Sequence, residues 1–131
     1  MPQNKPNRIL LVEDEPDIRK IVQVSLQEIG GFTMQTCGSG HEALEIVKAQ
    51  RPDLIILDVM MPVMDGLDTL REIHKIDDMQ DIPVIFLTAK VQPHEVEKYL
   101  ELGVIGVISK PFDPIRLPQQ INDLWCKLEM V

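Results

Sequence analysis

The chain has 131 residues, with 13 Lys+Arg against 21 Asp+Glu and a formal net charge of −8. That length holds one domain with a core of its own, and 44% hydrophobic with 26% charged residues is globular composition, not disorder. The acid excess argues against a basic nucleic-acid surface, and no apolar run approaches the roughly 18 residues of a membrane span.

Residues 1–7 are polar and lack the apolar stretch of a leader, so the domain is expected over 8–131. Ile9–Val12 is a continuous apolar run, predicted as a buried strand, and Glu13-Asp14 closes it. Ile18, Ile21, Val22, Leu26 and Ile29 then recur at three and four, a helix that Gly30-Gly31 stops. Phe32–Thr36 is more mixed and is predicted as an edge strand. Ser39 with Glu42 reads as a capping box ahead of Ala43, Leu44 and Val47, and Pro52 ends that helix.

Leu54–Leu57 is the third strand, closed by Asp58. Asp65 is positioned to cap a helix that turns Leu67, Leu70 and Ile73 inward. Val84–Leu87 is closed by Thr88, and Val96, Tyr99 and Leu100 mark a short fourth helix. Val104–Ile108 leads through Ser109 to Lys110. Leu117, Ile121, Leu124, Trp125 and Leu128 mark the last helix, with Pro118 near its start. Five strand–helix repeats predict an α/β fold: a doubly wound parallel sheet with helices on both faces. Cys37 and Cys126 are too few for a disulfide scaffold, which makes the cytoplasm the expected compartment.

Each strand run but the second is closed by a reactive polar residue. In an open parallel sheet the carboxyl ends of the strands share one edge, where ligands bind. Glu13, Asp14, Asp58, Thr88 and Lys110 are therefore expected to meet there. Clustered carboxylates repel unless a cation joins them, and a few such oxygens suit Mg²⁺, which also takes phosphate and water. Lys110 supplies a compact positive charge and Thr88 a small hydroxyl for phosphoryl oxygens. An Asp carboxylate among them can attack phosphorus. Taken singly, Thr88 also reads as a turn hydroxyl and Lys110 as a surface lysine.

Four motifs together carry a resemblance. Val12-Glu13-Asp14-Glu15-Pro16, Asp58-Val59-Met60-Met61-Pro62-Val63-Met64-Asp65-Gly66, Thr88-Ala89 and Lys110-Pro111-Phe112 resemble the receiver domain of two-component response regulators, in the same order and spacing from about Arg8 to Leu128. The resemblance implies a flavodoxin-like sheet with strand order 2-1-3-4-5. It implies Asp58 as phosphoacceptor, Thr88 and Lys110 as the pair gripping the phosphoryl oxygens, and Mg²⁺ held by Asp14, Asp58, the Met60 carbonyl and, through water, Glu13. The implied donor is a phosphohistidine on a sensor histidine kinase or phosphotransfer protein. The implied output is a partner read through the fourth-helix, fifth-strand and fifth-helix face, with no direct nucleic-acid or membrane contact. Such a domain catalyses only its own phosphorylation and dephosphorylation.

Two features depart from the pattern or tune it. Where the family often carries a swinging Tyr or Phe, three residues before the lysine, this chain has Val107, too short and stiff to swing. Met60 and Lys90 occupy positions that tune loss of the phosphoryl group, and bulky Met60 is expected to hinder the attacking water. An aspartyl-nucleophile, Mg²⁺-dependent phosphatase is the competing enzyme reading, but Met60 stands where that class needs a second acid. With no DNA-binding region after Val131, the expectation is a stand-alone receiver, a phosphorelay member, or a receiver piece of a longer regulator or hybrid kinase.

Overall fold

A computed structural model of the chain describes residues 5–89 and 91–129. Strands β1 (Arg8–Val12), β2 (Thr33–Cys37), β3 (Leu54–Asp58), β4 (Val84–Thr88) and β5 (Gly106–Ser109) pair in parallel, in the order β2-β1-β3-β4-β5. This is the expected doubly wound, flavodoxin-like sheet. The helices are α1 (Pro16–Val24, continued by a π-helical turn over Ser25–Ile29), α2 (Gly40–Ala49), α3 (Gly66–His74), α4 (Pro93–Glu101) and α5 (Leu117–Glu129). Among the described residues no helix is long and apolar enough to cross a membrane.

Strand alternation sorts the core into two layers. Leu10, Val12, Ile55, Leu57, Val84 and Phe86 face α2, α3 and α4, meeting Ala43, Val47, Leu70, Ile73 and Tyr99. Ile9, Leu11, Leu54, Ile56, Ile85 and Leu87 face α1 and α5, meeting Val22, Leu26, Leu117 and Ile121. β3 and β4 are buried throughout and β1 nearly so, while β2 and β5 lie at the edges. In β5, accordingly, Val107 is half-covered and Ser109 exposed.

Three boundaries move. β2 starts one residue later than expected because Phe32 leaves the ladder and packs against the α1–α5 layer. Val104 and Ile105 precede β5, following a turn at Gly103 whose φ of +94° suits glycine. The first helix does not stay α-helical to Gly30. The Gly30 N–H reaches back to the Ser25 carbonyl at 3.2 Å, so the last turn is wider by one residue. The buried Ser25 hydroxyl then donates to the Pro114 carbonyl, tying this turn to the segment before α5. The caps form as read: Ser39 accepts from the Glu42 N–H at 3.2 Å and Asp65 from the Asp68 N–H at 2.8 Å.

Candidate functional site

The carboxyl ends of β1, β3 and β4 and the loop after β5 converge on one acidic hollow. Glu13 continues β1, donating its N–H to the Cys37 carbonyl of β2 at 3.1 Å. Its own carbonyl accepts from Arg19 of α1 at 2.8 Å, and Oε2 accepts from the Glu15 N–H at 3.1 Å. The side chain is fully buried. Asp14 is half-buried beside it, and one carboxylate oxygen from each of Glu13, Asp14 and Asp58 lies within 4.8 Å of the others.

Asp58 ends β3 and is 1% exposed. Its Oδ1 accepts from the Met60 N–H at 3.2 Å, which turns the chain sharply out of the strand. Gly66 lets that loop close: its N–H donates to the Val59 carbonyl at 2.9 Å, and a Cβ there would stand 2.5 Å from the Asp58 carbonyl oxygen. Lys110 follows β5, its peptide bond to Pro111 is cis, and its N–H donates to the Thr88 carbonyl at 2.9 Å. The ammonium lies 2.8 Å from Glu13 Oε1 and 3.3 Å from Asp58 Oδ1. The first contact compensates charge without aligning as a hydrogen bond, so Glu13 Oε1 has no directed donor.

Burial, then the hydrogen-bonding contact and charge of Glu13, push the Asp58 carboxyl up to about 7 against the pull of Lys110. Burial alone would lower the Lys110 ammonium; Glu13 and Asp58 outweigh it and hold the group above its ordinary value. Three clustered acids share one cation, the Lys110 ammonium. A divalent ion suits this donor set, which offers clustered hard carboxylate oxygens, one of them lacking a directed donor.

The structure thus brings together Glu13, Asp14, Asp58 and Lys110. Thr88 is fully buried at the end of β4, next after Leu87, the register partner of Asp58. Met60 presents its N–H to Asp58 while its side chain is 54% exposed; of the other methionines in this loop, Met61 is buried and Met64 half-buried. Lys90 lies outside the described residues. Sequence reading missed two partners of the site. Arg19 holds the Glu13 backbone, and Tyr99 of α4 packs edge-on against Phe86, two residues before Thr88 on β4. Neither carries a local signal, since Arg19 looks like a solvated helix residue and Tyr99 like one more inward position.

A profile of the response regulator receiver domain matches residues 9–122, and the chain belongs to that family. It is a receiver domain of two-component signalling. It is 40% identical to the probable transcriptional regulator ycf27 of Cyanidium caldarium, covering 97% of this chain and 51% of that protein. It is 34% identical to the response regulator Rre1 of Synechocystis, covering 92% and 52%. The chain spans about half the length of these curated relatives. Among solved structures, the chemotaxis protein CheY4 of Vibrio cholerae superposes with a TM-score of 0.83 at 30% identity, covering 90% of this chain and 98% of that one. The receiver domain of a signal transduction histidine kinase from Syntrophus aciditrophicus gives 0.79 at 34%, covering 95% and 94%.

Proposed function

We propose that Asp58 accepts a phosphoryl group from a phosphohistidine on a sensor histidine kinase or histidine phosphotransfer protein, and that the phosphorylated form signals by binding a partner or passing the group on. The observation that carries this reading is the position of Lys110, whose ammonium bridges Glu13 and Asp58 at the carboxyl edge of the sheet. A carboxylate oxygen of Asp58 attacks phosphorus, the P–N bond to the donor imidazole breaks, and its electron pair stays on the imidazole nitrogen. Lys110 neutralises charge on the transferred oxygens, and the Thr88 hydroxyl donates to another. Asp14, Asp58, the Met60 carbonyl and, through water, Glu13 would hold Mg²⁺. The ion would neutralise phosphoryl charge and favour the ionised acceptor.

Hydrolysis of the acyl phosphate resets the domain, and no other substrate is turned over. The reading places the protein in the cytoplasm with its donor. The α4–β5–α5 face holds a groove of about 470 Å³ lined by Val96, Leu100, Val107 and Leu124 among others. That groove is the seat proposed for an output protein or an output domain of the same polypeptide. With a net charge of −8 the receiver itself leaves nucleic acid to that partner.

The test is incubation with Mg²⁺ and acetyl phosphate, followed by intact mass. One phosphoryl group per chain, lost in Asp58→Asn, supports the proposal. Steady release of alcohol from a phosphoester would favour the phosphatase reading, and no adduct at all would leave only a binding scaffold.

A further inference from the structure

Arg19 of α1 donates from Nη1 to the Glu13 carbonyl at 2.8 Å. That carbonyl belongs to the planar peptide joining Glu13 to Asp14, so a single charged donor fixes the plane on which both residues are mounted. The bond closes a ring of contacts. Glu13 Oε2 accepts from the Glu15 N–H at 3.1 Å, the Glu15 carbonyl accepts from the Arg19 N–H at 2.9 Å, and the Arg19 side chain returns to Glu13. The guanidinium reaches its carbonyl across Gly38, the residue that follows β2. A Cβ on Gly38 would stand 2.9 Å from Arg19 Nη1 and 3.9 Å from the Glu13 carbonyl oxygen. Gly38 is not among the glycines of positive φ, so what it supplies here is open space.

We infer that Arg19 is a positioning residue for the acidic cluster and that Gly38 is the gap through which it works, the two acting as one unit on the Glu13–Asp14 peptide. The inference rests on the cluster of Glu13, Asp14 and Asp58 taking Mg²⁺. Such an ion demands near-ideal geometry, so it tolerates little misplacement of its carboxylates. Groups that only orient those carboxylates then carry a large share of the affinity. Charge alone predicts the opposite sign. Removing a cation in contact with Glu13 deepens the negative potential and would draw a divalent ion in more strongly. A loss of Mg²⁺ affinity without Arg19 therefore reports orientation. Gly38→Ala isolates the same effect with no change of charge. Its methyl group meets the far end of a flexible side chain, which moves aside at little cost to the fold and leaves the carbonyl.

The test is a Mg²⁺ titration of the full chain followed by amide NMR, with no phosphodonor, in wild type, Arg19→Met, Gly38→Ala and the double variant. Thermal melts in EDTA accompany it. Each single variant should bind Mg²⁺ about tenfold more weakly than wild type, while Gly38→Ala melts as wild type does. The double variant should bind no more weakly than Arg19→Met, since no guanidinium is left for the methyl group to displace. Where Arg19→Met fails to fold, Gly38→Ala carries the test by itself. Unchanged or tighter Mg²⁺ binding in either folded single variant would overturn the inference, as would a further loss in the double variant. Wild type that takes up no Mg²⁺ would overturn the metal-site reading first, and the inference with it.

Discussion

The Lys110 ammonium lies 2.8 Å from Oε1 of Glu13, although β3 and β4 separate the strands that carry them. This contact spans the carboxyl edge of the sheet and passes the Asp58 carboxylate at 3.3 Å on its way. One cation thereby serves two of the three clustered acids.

Removing that cation leaves buried negative charge without compensation. Lys110→Met is expected to destabilise the metal-free protein by about 3 kcal/mol at pH 8, read from urea midpoints in EDTA. Mg²⁺ should stabilise this variant more than wild type, since the ion then supplies the only positive charge in the cluster. A variant within about 0.5 kcal/mol of wild type in EDTA, a surface-substitution effect, would show that the bridge contributes little.

The raised Asp58 carboxyl sets a pH dependence. In the folded protein it releases its proton at about 7, against 3.8 for the ordinary group. The folded state thus holds a proton that the unfolded chain gives up between those values. The contribution of this group to stability is full below about pH 4, is lost as pH rises toward 7, and is flat above. Metal-free wild type should lose on the order of a few kcal/mol across that window relative to Asp58→Asn. Parallel stability curves for the two proteins in EDTA would refute the assignment.

Met60 follows the acceptor by two residues and keeps its side chain 54% exposed beside the site. A bulky apolar group there offers an attacking water neither a hydrogen bond nor a clear path. The phosphoryl group on Asp58 is expected to persist for minutes or longer in Mg²⁺ buffer, and Met60→Asn to shorten its lifetime several-fold. Loss of label from wild type within seconds, without a phosphatase, would contradict this.

Val63 sits in the loop between β3 and α3 with φ of +68°, a conformation in which a β-branched side chain is strained. The Met64 N–H donates back to the Pro62 carbonyl at 2.7 Å, which closes the tight turn around it. At 95% exposed, Val63 has almost no burial to lose. Val63→Gly should therefore raise stability by about 1 kcal/mol, measured by thermal or urea unfolding. A loss of stability would mean that the unfolded chain's gain in freedom outweighs the relief of strain.

The parts of the fold legible in the sequence are those governed by each element's own surroundings. Ile9–Val12, Leu54–Leu57 and Val84–Leu87 are continuous apolar runs because their strands are covered on both faces. Ser39 and Asp65 announce helix starts because their oxygens satisfy nearby N–H groups. The widened turn at Ser25–Ile29 was hidden, because the apolar spacing through Leu26 and Ile29 fits an α-helix just as well. Phe32 carried an apolar signal that belonged to the α1–α5 layer and not to the β2 ladder.

The site divides the same way. Sequence alone determined which residues end the strands, and so the chemical kinds available: three carboxylates, a hydroxyl and an ammonium. Residue type and position along an element depend on local burial and backbone geometry, which leave a periodic trace. Tertiary structure decided which of these groups touch, that burial beside Glu13 raises the Asp58 carboxyl, and that Tyr99 meets Phe86 across the gap between α4 and β4. Those meetings depend on strand order, crossover hand and side-chain length acting together, and a contact made that way leaves no period in the chain.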